Sequence, residues 1–156
     1  MAAEWEKAYI ETLAEELTDN SVEAYIEDID GAPSLVIPIA GRSGDETAHD
    51  AIISIEHTAG CCCFLIMVQL YGNIDDQIFA DIEKVEAHIN EVLTVGNVSV
   101  LFETKALFYN YALVFAEDMS AEMLTRQLGL AISIAGKTAD AVMDILDPII
   151  GGNIPE

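Results

Sequence analysis

The stretch Asp75-Asp76-Gln77-Ile78-Phe79-Ala80-Asp81-Ile82-Glu83-Lys84-Val85-Glu86-Ala87-His88-Ile89-Asn90-Glu91-Val92-Leu93 decides the fold. Ile78, Ile82, Val85, Ile89 and Val92 recur at steps of three and four, with Phe79 and Leu93 beside them, which makes one side of a helix apolar. Asp75 or Asp76 can cap its start, and Gly96-Asn97 closes it. On both sides of this helix the pattern changes to β character. Segments 22–29, 35–40, 51–58 and 62–71 precede it, and 98–104 and 107–116 follow it. Asp30-Gly31-Ala32-Pro33 reads as a turn, 41–50 as a polar loop, Ala59-Gly60 as a tight reversal and Lys105 as a short turn. Pro38 places its segment at an edge or a bulge.

Two more helices complete the order. Over 4–17, Trp5, Tyr9, Leu13 and Leu17, with Ile10 and Ala14, form an apolar stripe opposite Glu6, Glu11, Glu15 and Glu16. The last helix opens at Ser120 and carries Leu124, Leu128, Ala131, Ile132, Ala135, Ala139, Val142, Met143 and Leu146 on one side. Pro148 is expected to stop it and to begin a short tail, 148–156. Gly129 and Gly136 either weaken this helix or let a neighbour pack closely. Strand blocks joined by short turns imply antiparallel pairing. The expectation is an α+β class, α-β(3-4)-α-β(2)-α, with helices packed on an antiparallel sheet in a single domain spanning 1–156.

The 156 residues hold 28 Asp and Glu against 6 Lys and Arg, a formal net charge of −22, yet 52% are apolar. Acidity of this kind without apolar content would mean disorder; with it, a chain of this length buries a real core. The charge argues against nucleic acid and against an anionic membrane, since no basic cluster exists to meet either. The first residues lack a basic stretch followed by a long apolar one, and the longest apolar run, 61–68, is too short to span a bilayer as a helix. Cys61, Cys62 and Cys63 are consecutive, which suits neither a disulfide nor a zinc site. They read as small core residues, and the expected compartment is a reducing cytoplasm.

Catalytic chemistry is not evident. His49, His57 and His88 have no partners in the sequence pattern, and no phosphate-binding, dinucleotide or nucleophile-elbow motif is present. Glu83 and Glu86 share a helix side but lack the Glu-x-x-His spacing of a carboxylate-bridged metal pair. No catalytic, cofactor-binding or metal-ligating residue is assigned, and the chain is expected to be no enzyme.

Binding is better supported. A sheet covered on one face should alternate apolar and polar residues. The 61–70 segment instead has Cys61, Cys63, Leu65 and Met67 on one side and Cys62, Phe64, Ile66, Val68 and Leu70 on the other. The 107–115 segment sets Leu107, Tyr109, Tyr111, Leu113 and Phe115 against Phe108, Asn110, Ala112 and Val114. Such surface is covered by a second subunit, by a bound segment, or by a loop or helix end of the same chain. Leu65, Met67, Leu107, Tyr109, Tyr111, Leu113 and Phe115 are the candidate interaction surface. Tyr109 and Tyr111 are favoured because a tyrosine ring can be apolar at its body and wet at its tip.

The order helix, β-block, helix, two strands, helix resembles the type III secretion chaperone-like fold, and within it the YbjN-type family of sensory-transduction regulators. The residues that carry the likeness are Ile82-Glu83-Lys84-Val85-Glu86-Ala87-His88-Ile89-Asn90, Gly96-Asn97-Val98-Ser99-Val100, Leu107-Phe108-Tyr109-Asn110-Tyr111 and Met119-Ser120-Ala121-Glu122-Met123-Leu124. Asn90 matches the second asparagine of the family pattern; Ala87 departs from the first. The resemblance implies a small acidic cytoplasmic bacterial protein that forms a homodimer and binds polypeptide segments without catalysis, with no catalytic residues to carry over. The expected function is thus a chaperone-like or regulatory module that binds a polypeptide segment or partner protein. The alternative is a ligand-binding or enzymatic domain with an apolar pocket rimmed by carboxylates. The charge would steer a basic partner, or else reflect a salty cytoplasm.

Overall fold

The computed structural model describes residues 4–19, 21, 23–39, 49–58, 61–115 and 119–150. Its elements run α1 (Glu4–Asp19), β1 (Tyr25–Ile29), β2 (Ala32–Ile39), β3 (His49–Thr58), β4 (Cys61–Tyr71), α2 (Asp76–Val92), β5 (Asn97–Leu101), β6 (Ala106–Phe115) and α3 (Ala121–Ile150). The strands form a six-stranded sheet in the order β1-β2-β3-β4-β6-β5, with every neighbouring pair antiparallel. The fold is α+β with helices packed on the sheet. The loop expected at 41–48, the reversal at Ala59-Gly60 and the tail from Gly151 lie outside the described residues.

Local chemistry sets the boundaries. The β1–β2 hairpin turns at Asp30 (φ 53°) and Gly31 (φ 80°), the pair of positive angles a two-residue hairpin requires. The Asp28 carboxylate accepts the Gly31 N–H at 2.9 Å and braces that turn. Asp75 caps α2 by accepting the Gln77 N–H at 2.9 Å. The Ile74 N–H donates to the Lys105 carbonyl at 3.0 Å, and Lys105 pairs with Asp76, so the β5–β6 turn is tied to the helix start. Ser120 caps α3, its hydroxyl oxygen accepting the Met123 N–H at 3.3 Å.

The core lies between the helices and one sheet face. Leu35 and Ile37 of β2, Ala51 and Ile53 of β3, Phe64, Ile66 and Val68 of β4, and Tyr109 of β6 meet Ile10 and Leu13 of α1, Ile82 and Ile89 of α2, and a long stripe of α3. Ala131, Ala135 and Ala139 on that stripe are nearly inaccessible, and their small side chains let α3 settle close to the sheet. Aromatic contacts pin α1: Trp5 meets Phe115 edge-on at 6.5 Å, Tyr9 tilts against Phe64 at 5.7 Å, and Phe64 stacks on Phe115 at 4.6 Å.

Two expectations need correction, and at Gly129 one of two alternatives falls away. Pro148 does not stop α3, which continues to Ile150. A proline this close to the end removes one hydrogen bond, and Ile149 and Ile150 pack against the core beyond it. On α1 the inward side is rotated: Glu6, expected to face water, is buried with Ile10 and Leu13, while Trp5 is 41% exposed. The apolar residues of α1 form two overlapping stripes, and the sheet selects the one centred on Ile10. Around Gly129 a Cβ would meet nothing within 4 Å, so no close approach explains that glycine. Pro38 has a simple reason. The pairing of β1 with β2 ends at Tyr25 with Val36, so β2 is a local edge at Pro38.

Candidate binding surfaces

Strand register divides the expected interaction residues between the two sheet faces. Tyr111 lies opposite Ile66, Leu113 opposite Phe64, and Tyr109 opposite Val68, all on the helix-covered face. Leu107, Tyr109 and Phe115 are buried there, and Tyr111 and Leu113 are half-buried against the core. These five are therefore not an open surface of the chain. The reasoning from tyrosine's wet tip fails at Tyr109 because the protein supplies the partner. Its hydroxyl donates to the Val95 carbonyl at 2.8 Å. Burial raises the Tyr109 pKa, a bond with Thr138 partly offsets this, and nearby Tyr111 adds to the rise.

Leu65 and Met67 lie on the second face, half-buried. Across the ladder they share it with Ile52 of β3, Val36 of β2, and Ala112 and Val114 of β6. Val36, Cys63 and Phe108 are buried on this face but stand outside the main core. Val114 is 62% exposed. The sequence held one signal for the outward side of β6: Asn110 interrupts the row Phe108, Ala112, Val114. Its amide donates to Ser99 Oγ at 2.7 Å and Asn97 Oδ1 at 3.2 Å, a polar link between β5 and β6 on this face.

The two sheet edges differ in their free hydrogen-bonding groups. At β5, the Asn90 side chain reaches from α2 and pairs with the strand backbone. Its Nδ2 donates to the Val98 carbonyl at 2.9 Å, and its Oδ1 accepts the Val98 N–H at 2.7 Å. One carboxamide thus occupies both edge groups of Val98 as a neighbouring strand would. No such clamp meets β1 among the described contacts.

Beside β1 runs a groove of about 450 Å³ lined by Glu11, Ala14, Glu15, Thr18 and Asp19 of α1 and by Ala24, Tyr25 and Ile26. Its small lining residues are Ala14, Thr18 and Ala24, and Glu11, Glu15 and Asp19 set a row of carboxylates along its α1 side. Tyr25 and Ile26 are 45% and 42% exposed. The Tyr25 phenol is raised by partial desolvation and by the negative charges of Asp50, Glu27 and Glu23.

Elsewhere, Glu86 is raised by desolvation and then by neighbouring Glu83. His88 forms an exposed contact with Glu91 at 3.7 Å. Cys62 and Cys63 are buried, with side chains on opposite faces of the sheet. Among the described residues no group of three His, Cys, Asp or Glu is placed to hold a metal ion, and no helix is long and apolar enough to cross a membrane. Compared with models of known protein families and with curated proteins, the chain matches none of them.

Proposed function

We propose that this chain is a non-enzymatic polypeptide-binding module, chaperone-like or regulatory. The observation that carries the reading is one-sided layering. The helices pack on one sheet face, while Ile52, Leu65, Met67 and Val114 lie on the other, which no described helix covers. Val114 is largely exposed and Ile52, Leu65 and Met67 are half-buried, and the apolar surface they leave accessible loses solvent contact when a partner docks, at about 25 cal/mol per Å² buried. The likeness to the YbjN-type family and the type III secretion chaperone-like fold supports the same reading, and with it a homodimer in a cytoplasm. The acidity steers partners that carry positive charge.

The test is a photo-crosslinking amino acid placed at Val114, with Met123 on the outer side of α3 as the control. A polypeptide joined at Val114 and not at Met123 is expected. A crosslink to a second copy would assign the homodimer contact to this face. The pair Leu65→Asp and Val114→Asp should then weaken the captured partner by at least about tenfold at unchanged thermal stability. Equal labelling at Val114 and Met123, or none at Val114, would remove the reading.

A further inference from the structure

We propose that the docking of α1 on the sheet is governed by ionic strength. Concentrated electrolyte holds the helix down; at low salt, repulsion between α1 and the β1 side releases it while the rest of the fold stays intact. This device is separate from polypeptide binding and does not depend on it.

Like charge lies on both sides of one contact. From residue 8 to residue 41 the sequence holds eight carboxylates and no Lys or Arg. That run supplies most of α1 and all of β1, which line the two sides of the groove. Glu11, Glu15 and Asp19 recur every fourth residue, so they stand about 6 Å apart along α1. Across the groove, Asp50, Glu27 and Glu23 set a negative potential at Tyr25. Among the described residues no Lys or Arg pairs with Glu11, Glu15, Asp19, Glu23 or Glu27. The last turn of α1 has no basic residue either, so Glu16 and Asp19 stand at the negative end of the helix dipole.

What opposes this charge is side-chain packing. Ile10 and Leu13 are buried, Tyr9, Ala14 and Leu17 are partly buried, and Trp5 and Tyr9 add ring contacts to Phe115 and Phe64. The other helices are tied more firmly. Asn90 bonds α2 to β5, and Lys105 pairs with Asp76 at its start. The α3 stripe is buried from Leu124 to Leu146, and the Tyr71 hydroxyl of β4 bonds to Asp147 and, at 3.3 Å, to the Met143 carbonyl. Repulsion therefore removes α1 first. The Debye length is about 10 Å at 0.1 M salt and about 3 Å at 1 M, so charges about 6 Å apart repel in the first solution and are screened in the second.

Trp5 is the one tryptophan of the chain and lies on α1 against Phe115, so its emission reads the docking of this helix. The test is urea unfolding of the full chain at about 0.05 M and about 2 M KCl, followed by Trp5 emission and by circular dichroism. At high salt the two transitions are expected to coincide. At low salt the Trp5 transition should precede the main circular dichroism transition. Without urea, amide exchange over Glu4–Asp19 should be at least about tenfold faster at low salt than at high salt, with less than about threefold change over α2 and β4. The triple variant Glu11→Gln, Glu15→Gln, Asp19→Asn should bring the two transitions together at low salt. Coincident transitions of the parent at low salt, including loss of the whole fold at once, would overturn the proposal. So would a Trp5 transition equally early at both salt concentrations, or a triple variant that keeps the full low-salt separation.

Discussion

Replacing Asn90 by alanine is the perturbation that best tests how the β5 edge is closed. The Asn90 carboxamide makes two hydrogen bonds to Val98, at 2.7 and 2.9 Å, in a half-buried setting between α2 and β5. A net hydrogen bond contributes about 1 kcal/mol, and a backbone group left partly buried without a partner costs about 1 kcal/mol or more. Water can reach this edge and recover part of the loss, so the expected destabilisation is about 2–3 kcal/mol. For a domain of this size that lowers the melting temperature by roughly 5–10 °C. Urea unfolding followed by circular dichroism measures the stability, and hydrogen exchange at Val98 reports the edge directly. Asn90→Asp should cost less than Asn90→Ala, because a carboxylate still accepts the Val98 N–H while losing the donor to its carbonyl. Asn90→Ala should also promote association at higher protein concentration, since it exposes an edge pair for another strand. A loss below about 0.5 kcal/mol, with Val98 exchange unchanged, would refute the assignment of Asn90 as the edge clamp.

Two further perturbations address backbone and charge. At Gly96 (φ 75°) a Cβ would lie 2.5 Å from both the Asn110 carbonyl and the Tyr109 hydroxyl, so Gly96→Ala should destabilise by about 2 kcal/mol or more; a neutral result in urea unfolding would contradict this geometry. Glu86 has a folded pKa raised above 4.5 by desolvation and by Glu83, so its contribution to stability is fully present below the unfolded value and is lost as pH rises through the folded one. Glu86→Gln should therefore gain stability relative to the parent above that window and converge with it towards pH 4, as thermal melts across pH would reveal.

The class and the order of elements were legible because period carries them. The α2 stripe, a turn beginning at Asp30-Gly31 and helix starts at Asp75-Asp76 and Ser120 are local chemistry; within them Asp75 is the cap and β2 already begins at Ala32, inside the expected turn. What the sequence hid was which apolar face the helices would cover. On β6, alternation assigns Tyr109 and Val114 to opposite sides but does not say which side is inside, and the run of aromatics favoured the wrong one as surface. The deciding information lies in α3, which begins at Ala121, far along the chain from β4, and packs across β4 and β6. Pro148 misled for a related reason. Its rule applies to helix interiors, and core contacts of Ile149 and Ile150 outweigh one lost bond at the end. Glu11, Glu15 and Asp19 were present in the sequence, but only the placement of β1 beside α1 makes that row one side of a groove.

Asn90 also gives the edge asymmetry a direction. A six-stranded sheet has two edges, and each is a liability unless blocked by a side chain, a neighbouring element or charge. At β5 the block is stereospecific, two hydrogen bonds from one amide, reinforced by the tie of Lys105 to Asp76 and Ile74 at the adjoining turn. At β1 the protection is electrostatic: Glu23, Glu27 and Asp28 with the α1 row repel any acidic strand, including another copy of this one. The two devices differ in what they permit. A side-chain clamp excludes every strand alike, whereas a charged edge excludes by sign and admits a segment of opposite charge. A chain that needed only to avoid aggregation could have closed both edges in the first way. The carboxylates beside β1 thus place part of the −22 charge at one sheet edge, in addition to the general effect of net charge on solubility.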